Sequence, residues 1–234
     1  MKARLLISAL LLASMLPQAA NALVADPSRI DAYVTPYYNS AGPVIKVGAY
    51  NAGLASNDDK RFVATIRSMK KRWTNLTFCQ MYVGSIRLYD LGYRQESVYW
   101  FYSAQYRGRQ FALLLDQSKM GRIGDPGFEL FHAQDAFMTL AGPYVNGYAF
   151  GDLDSLTKIV RRVQRENGSV VDLPTIYPGV TFAPKATWRA QNAQLNAGLS
   201  QLLSMLATQK DQLKQQRVQS GTEAQFSHLS SKPL

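Results

Sequence analysis

Apolar residues recur at helical spacing through the middle of the chain. Val83, Ile86, Leu88 and Leu91 share one side of a first segment. Val98, Phe101 and Ala104 share one side of a second, with Tyr99, Trp100 and Tyr102 around them. This pattern predicts two helices over residues 80–106, joined by a tight turn at Leu91-Gly92-Tyr93. Gly92 suits the position just past a helix end, where positive φ is easiest without a Cβ. The small residues Gly84, Ser97 and Ala104 let the two backbones approach, and the neighbouring aromatic rings fill the grooves.

The same periodicity predicts further helices on either side. Asn57 or Asp58 reads as an N-cap, followed by a helix to about Trp73 with an apolar stripe of Phe62, Ile66 and Met69. Lys60, Arg61, Arg67, Lys70, Lys71 and Arg72 make that helix basic towards its end, which complements the helix macrodipole. The second central helix is expected to run on to Leu115, with a kink at Gly108. Gly121 and Gly124 mark a loop. Asp125-Pro126 opens a helix that is expected to stop at Gly142-Pro143, followed by an aromatic loop over 144–150. Another helix starts at Gly151-Asp152 and ends near Asn167-Gly168. Pro174, Pro178, Gly179 and Pro184 punctuate an irregular connection. Leu195, Leu199, Leu202, Leu206 and Leu213 form a narrow seam on a last long helix.

The expected fold is therefore mainly α: a helical bundle with an irregular N-terminal arm carrying at most a short β segment, over Pro43–Gly48. The expected organisation is a signal peptide over 1–22, an extended arm over 23–56, a helical domain over 57–217 and a flexible polar tail over 218–234.

Gly84, Gly92, Ser97, Phe101 and Ala104 stand where a tetratricopeptide unit places its small residue, turn glycine, second small residue, aromatic and alanine. The hairpin over residues 80–107 resembles about one such repeat. Gln80, Arg87 and Arg109 depart from it, at positions where the family favours Trp, Tyr and Pro. The resemblance implies hairpin pairing and grooves that take peptides or protein surfaces. The wider pattern is similar to exported proteins of Gram-negative bacteria.

The first residues refine the compartment. Lys2 and Arg4 precede an apolar run from Leu5 to Leu16, Pro17 breaks it, and Ala20-Asn-Ala22 supplies small residues for a cut after Ala22. This is a secretory leader, too short for a comfortable membrane span of about 20 residues, and it points to the periplasm. Net charge is +10, and removing the two leader cations leaves +8. Such an excess attracts anionic partners. Export argues against nucleic acid and leaves an acidic or envelope-associated protein, with peripheral contact to an anionic membrane as a further partner class. Cys79, the single cysteine, excludes an internal disulfide and reads as a buried thiol.

Candidate chemistry is thin. Glu129 and His132 are three residues apart on one helix, with Asp135 a further three on. One carboxylate–histidine pair is half of what a di-iron bundle needs, so no metal or cofactor is expected. A hydrolase acting on the cell envelope through Glu129, His132 and Asp135 is the alternative reading. The favoured one is a non-catalytic interaction module, of which an immunity protein against a periplasm-delivered toxin is one form. Tyrosine is abundant at 13 residues, and Tyr, Trp and Arg anchor protein interfaces. Tyr99, Trp100, Tyr102, Tyr106, Arg107 and Arg109 are therefore the expected contact residues.

Overall fold

The computed structural model describes residues 23–30, 38–39, 42–43 and 47–234. The leader and residues 44–46 of the expected 43–48 strand lie outside the described residues. A two-residue antiparallel ladder pairs β1 (Tyr38–Asn39) with β2 (Gly42–Pro43). Apart from an isolated antiparallel bridge between Leu115 and Phe182, the other described residues are helix or connection, so the chain is mainly α.

The helices in order are α1 (Asn51–Leu54), α2 (Asp59–Lys71), α3 (Phe78–Asp90), α4 (Arg94–Leu114), α5 (Pro126–Ala149), α6 (Leu153–Asn167), α7 (Leu173–Ile176), α8 (Lys185–Thr208), α9 (Lys210–Gln219) and α10 (Thr222–Phe226). The expected central pair is α3 and α4. Thr77 and Gln80 form a reciprocal capping box at the start of α3. At its end Gly92 takes φ +86°, while Gly92 N donates to Tyr89 O and Tyr93 N to Leu88 O. Those two bonds close a Schellman turn, which a residue without Cβ adopts without strain. Ser85 Oγ donates to Ser97 O and Ser97 Oγ to Ser85 O, each at 2.8 Å, so two small polar residues clasp the backbones across the seam.

Helix α4 is the axis of the bundle: α3, α5, α6 and α8 all pack against it. Every residue from Ser97 to Phe111 is buried. A helix enclosed on all sides has no amphipathic stripe, which explains why its sequence mixes rings, hydroxyls and cations.

Three expectations are corrected. First, α5 does not stop at Gly142-Pro143 but continues to Ala149 with Pro143 inside it. An internal proline costs about 3 kcal/mol, but Ala141, Val145, Gly147, Ala149 and Phe150 are buried on the bundle, and that packing offsets the loss. The aromatic loop is thus a helix. Second, the last long helix divides at Gln209 into α8 and α9. Third, the tail is packed rather than loose. Phe226 is buried in a slot opened by Gly147, where a Cβ would lie 2.4 Å from its ring. Beyond it, Lys232 N donates to Gly92 O at 2.8 Å and Gln95 N to Ser231 Oγ at 3.0 Å, returning the C-terminus to the hairpin elbow.

Candidate functional site

The six expected contact residues do not form a surface. Tyr99, Trp100, Tyr102, Tyr106, Arg107 and Arg109 are all buried, none above 6% exposed. Tyr99, Tyr102, Tyr106 and Arg107 are engaged by elements remote in sequence, and Trp100 by its own helix. Tyr99 OH donates to Glu166 at 2.7 Å, Arg162 lies 3.6 Å over its ring, and Trp73 stacks on it. Trp100 Nε1 donates to Glu96 at 2.9 Å, and Tyr102 OH to Asn146 at 3.1 Å. Tyr106 OH reaches Asn192 and Asn196 on α8. Arg107 Nη1 donates to the carbonyls of Thr74 and Leu76 in the α2–α3 connection. Burial lowers the pKa of both Arg107 and Arg109, opposed by the tyrosines around them. These side chains tie α4 to its neighbours, and the expectation that they line a contact surface is corrected on that ground: buried polar groups are retained where each has a partner.

Glu129, His132 and Asp135 lie together on the first turns of α5, all exposed. Glu129 Oε1 accepts from Gly124 N at 2.8 Å, a capping role at the helix start. The His132 ring packs on Phe128 and Phe131, 4.4 Å and 5.4 Å between centroids.

The concentrated surface charge belongs to α2. Phe62, Ile66 and Met69 are buried against the bundle, so the opposite side of the helix faces solvent. Lys60, Ala64, Arg67 and Lys71 recur there at four- and three-residue spacing and make one exposed ridge. Arg61, Thr65, Ser68 and Arg72 make the adjacent ridge. Among the described residues none of Lys60, Arg61, Arg67, Lys71 and Arg72 has a carboxylate within ion-pair reach. Lys70, by contrast, is turned to α4 and pairs with Glu96 at 2.6 Å. The nearby acids are committed: Asp58 accepts from Arg61 N as the N-cap, and Asp59 pairs with Lys232.

Beside the second ridge lies an open groove of about 500 Å³ lined by Ala49, Tyr50, Gly53, Arg61, Ala64, Thr65, Ser68 and Arg72. Helix α1 and the 3-10 turn Gly48–Tyr50 that leads into it form its other wall. Three features fix α1 there. Leu54 is fully buried. Gly53 lies so close to α2 that a Cβ would stand 1.9 Å from Thr65 Oγ1. Arg87 on α3 donates to Leu54 O at 2.8 Å and to Asn57 Oδ1 at 3.0 Å. Sequence reasoning found the cations of α2 but assigned Tyr50, Gly53, Thr65 and Ser68 no role. The local signal, a tyrosine and two glycines before a basic helix, does not announce a groove until α1 folds back on α2.

No described helix is long and apolar enough to cross a membrane. No family model matches the chain, and no solved structure matches it. An uncharacterized protein of Haemophilus influenzae (strain ATCC 51907 / DSM 11121 / KW20 / Rd) is 27% identical over 129 residues, 53% of this chain and 47% of the relative. The chain is thus similar to about half of that protein's length.

Proposed function

We propose that the protein is a non-catalytic helical interaction module of the periplasm that engages an acidic protein through the exposed face of α2. The observation that carries this reading is the row of cations, Lys60, Arg67 and Lys71 with Arg61 and Arg72 beside them, which have no ion-pair partner among the described residues, on a helix whose Phe62, Ile66 and Met69 are buried. Unpaired surface cations on one face steer and hold a partner of opposite charge without costing internal ion pairs. The glycine-elbowed α3–α4 hairpin, with its small-residue seam, supports a tetratricopeptide-like scaffold role behind that face. An immunity protein that masks an acidic toxin surface is one specific form of this function.

The test is retention of periplasmic proteins on the immobilised chain at moderate salt, compared with a Lys60→Gln/Arg67→Gln/Lys71→Gln variant. The reading expects acidic proteins to be retained by the native chain and lost with the variant. Identical retention by both would contradict it.

A further inference from the structure

We infer that the α1–α2 groove is a receptor for an extended, acidic peptide segment with carboxylates about five residues apart. This rests on the cationic face of α2 being the contact surface, and it names what that surface grips. Arg61 and Arg72 stand at opposite ends of one ridge, with Thr65 and Ser68 between them, and all four line the groove. Eleven residues of α-helix separate the two arginines by about 16 Å. An extended strand rises about 3.3 Å per residue, so about five residues span that distance.

The chemistry along the groove is ordered to match. A guanidinium fork at each end offers bidentate pairing to a carboxylate. Between them Ser68 lines the groove and makes no hydrogen bond among the described residues. Thr65 Oγ1 instead donates back to Arg61 O at 2.9 Å. Tyr50 on the opposite wall is half-buried and adds an aromatic flank. Neither phosphate nor carboxylate alone could touch both arginines at that separation, so one small anion does not satisfy the site.

Concavity decides between the anionic partners. A bilayer surface is flat on this scale, and the exposed face of α2 carries no large apolar side chain to insert into it. The groove is recessed between two helices, which suits a segment that projects. Gly53 sets its width, because any side chain there would push α1 away from Thr65.

Fluorescence anisotropy on the intact protein tests this with labelled synthetic peptides, the two acidic ones of equal net charge. One carries two glutamates five residues apart, one carries them adjacent, and an uncharged peptide is the control. Phosphatidylglycerol vesicles make the lipid arm. The spaced peptide should bind tighter than the adjacent one, and Arg61→Gln and Arg72→Gln, both at exposed positions, should each weaken it about 3–10-fold, the range expected of a solvent-facing charged hydrogen bond. Gly53→Ala should remove the spacing preference. Spacing-independent binding that ignores Arg61 and Arg72 would overturn the inference, as would vesicle binding that depends on both arginines while the peptides do not bind. Identical protein retention by the native chain and the Lys60/Arg67/Lys71 variant, with the spaced peptide failing even on the native chain, would sink the broader reading as well. Retention that is lost with the Lys60/Arg67/Lys71 variant while the spaced peptide fails to bind would sink the groove alone.

Discussion

Gly84→Ala probes the seam that organises the bundle, and two effects of opposite sign compete in it. Gly84 is buried in the middle of α3, where alanine is intrinsically the better helix former by about 1 kcal/mol. On propensity alone the variant would be stabilised. The added methyl, however, would lie 2.8 Å from Cε3 and Cζ3 of Trp100. Carbon atoms in contact prefer about 3.5–4.0 Å, so ring or helix must yield by about 1 Å. The ring has little freedom: its Nε1 is bonded to Glu96, and Trp73 packs edge-on at 4.9 Å. Overpacking a rigid site costs typically about 1–3 kcal/mol, and here the upper part of that range applies. The net expectation is destabilisation by about 1–2 kcal/mol, a fall in Tm of about 2–8 °C for a chain of this size. Thermal and urea unfolding monitored by circular dichroism measure it. An unchanged or raised Tm would refute the reasoning, because Trp100 would then be free to move and the α3–α4 contact would not be tight.

Three further outcomes are expected. Phe226→Ala should cost about 3–5 kcal/mol, the range for emptying a buried phenylalanine site, and urea unfolding reads it directly; a loose tail would give no effect. Tyr82→Phe should be neutral or stabilising in the same assay, because the buried Tyr82 hydroxyl has no hydrogen-bond partner among the described residues while its ring stacks on Phe137. Asp152 caps α6, and its pKa is lowered by the Ser155 N–H and then the Ser155 hydroxyl, against a smaller opposing effect of burial. A folded-state pKa below the unfolded value gives stability that is present above about pH 4 and lost as pH falls through the folded value. Asparagine keeps the cap acceptor without the charge, so the Tm gap between native protein and Asp152→Asn should close as pH is lowered; a gap that stays constant would contradict the assignment.

Much of the helical layout is legible in the residues. Asp58, Thr77 and Asp152 cap helices with their own side chains, and Gly92 turns the chain where positive φ is needed. Those signals are local, and local chemistry enforces them. The misjudged features are all decided at long range. Pro143 reads as a stop because its ring and missing N–H are local penalties, whereas the burial that overrides them comes from α4 and α10. The tail reads as solvent-loving because Phe226 is its lone aromatic residue, and the slot that takes it is made by Gly147, far upstream. The rings and arginines of α4 read as interface anchors because composition cannot show that Asn146, Glu166, Asn192 and Asn196 arrive to satisfy the tyrosines and the carbonyls of Thr74 and Leu76 to satisfy Arg107. The candidate surface was half legible. The cations at the end of α2 were visible, with the macrodipole as their explanation, but the groove exists only because Arg87, Leu54 and Gly53 seat α1 against α2.

The most direct test of the account is an NMR titration of the ¹⁵N-labelled protein with the spaced acidic peptide at low salt, repeated at high salt. The account predicts amide shifts confined to residues 49–53 and 61–72 that diminish as the salt concentration rises, since exposed charge pairs are screened over about 8–10 Å at physiological ionic strength. Shifts centred instead on the exposed first turns of α5 around Phe128, Glu129 and His132, with α2 unmoved, would contradict it.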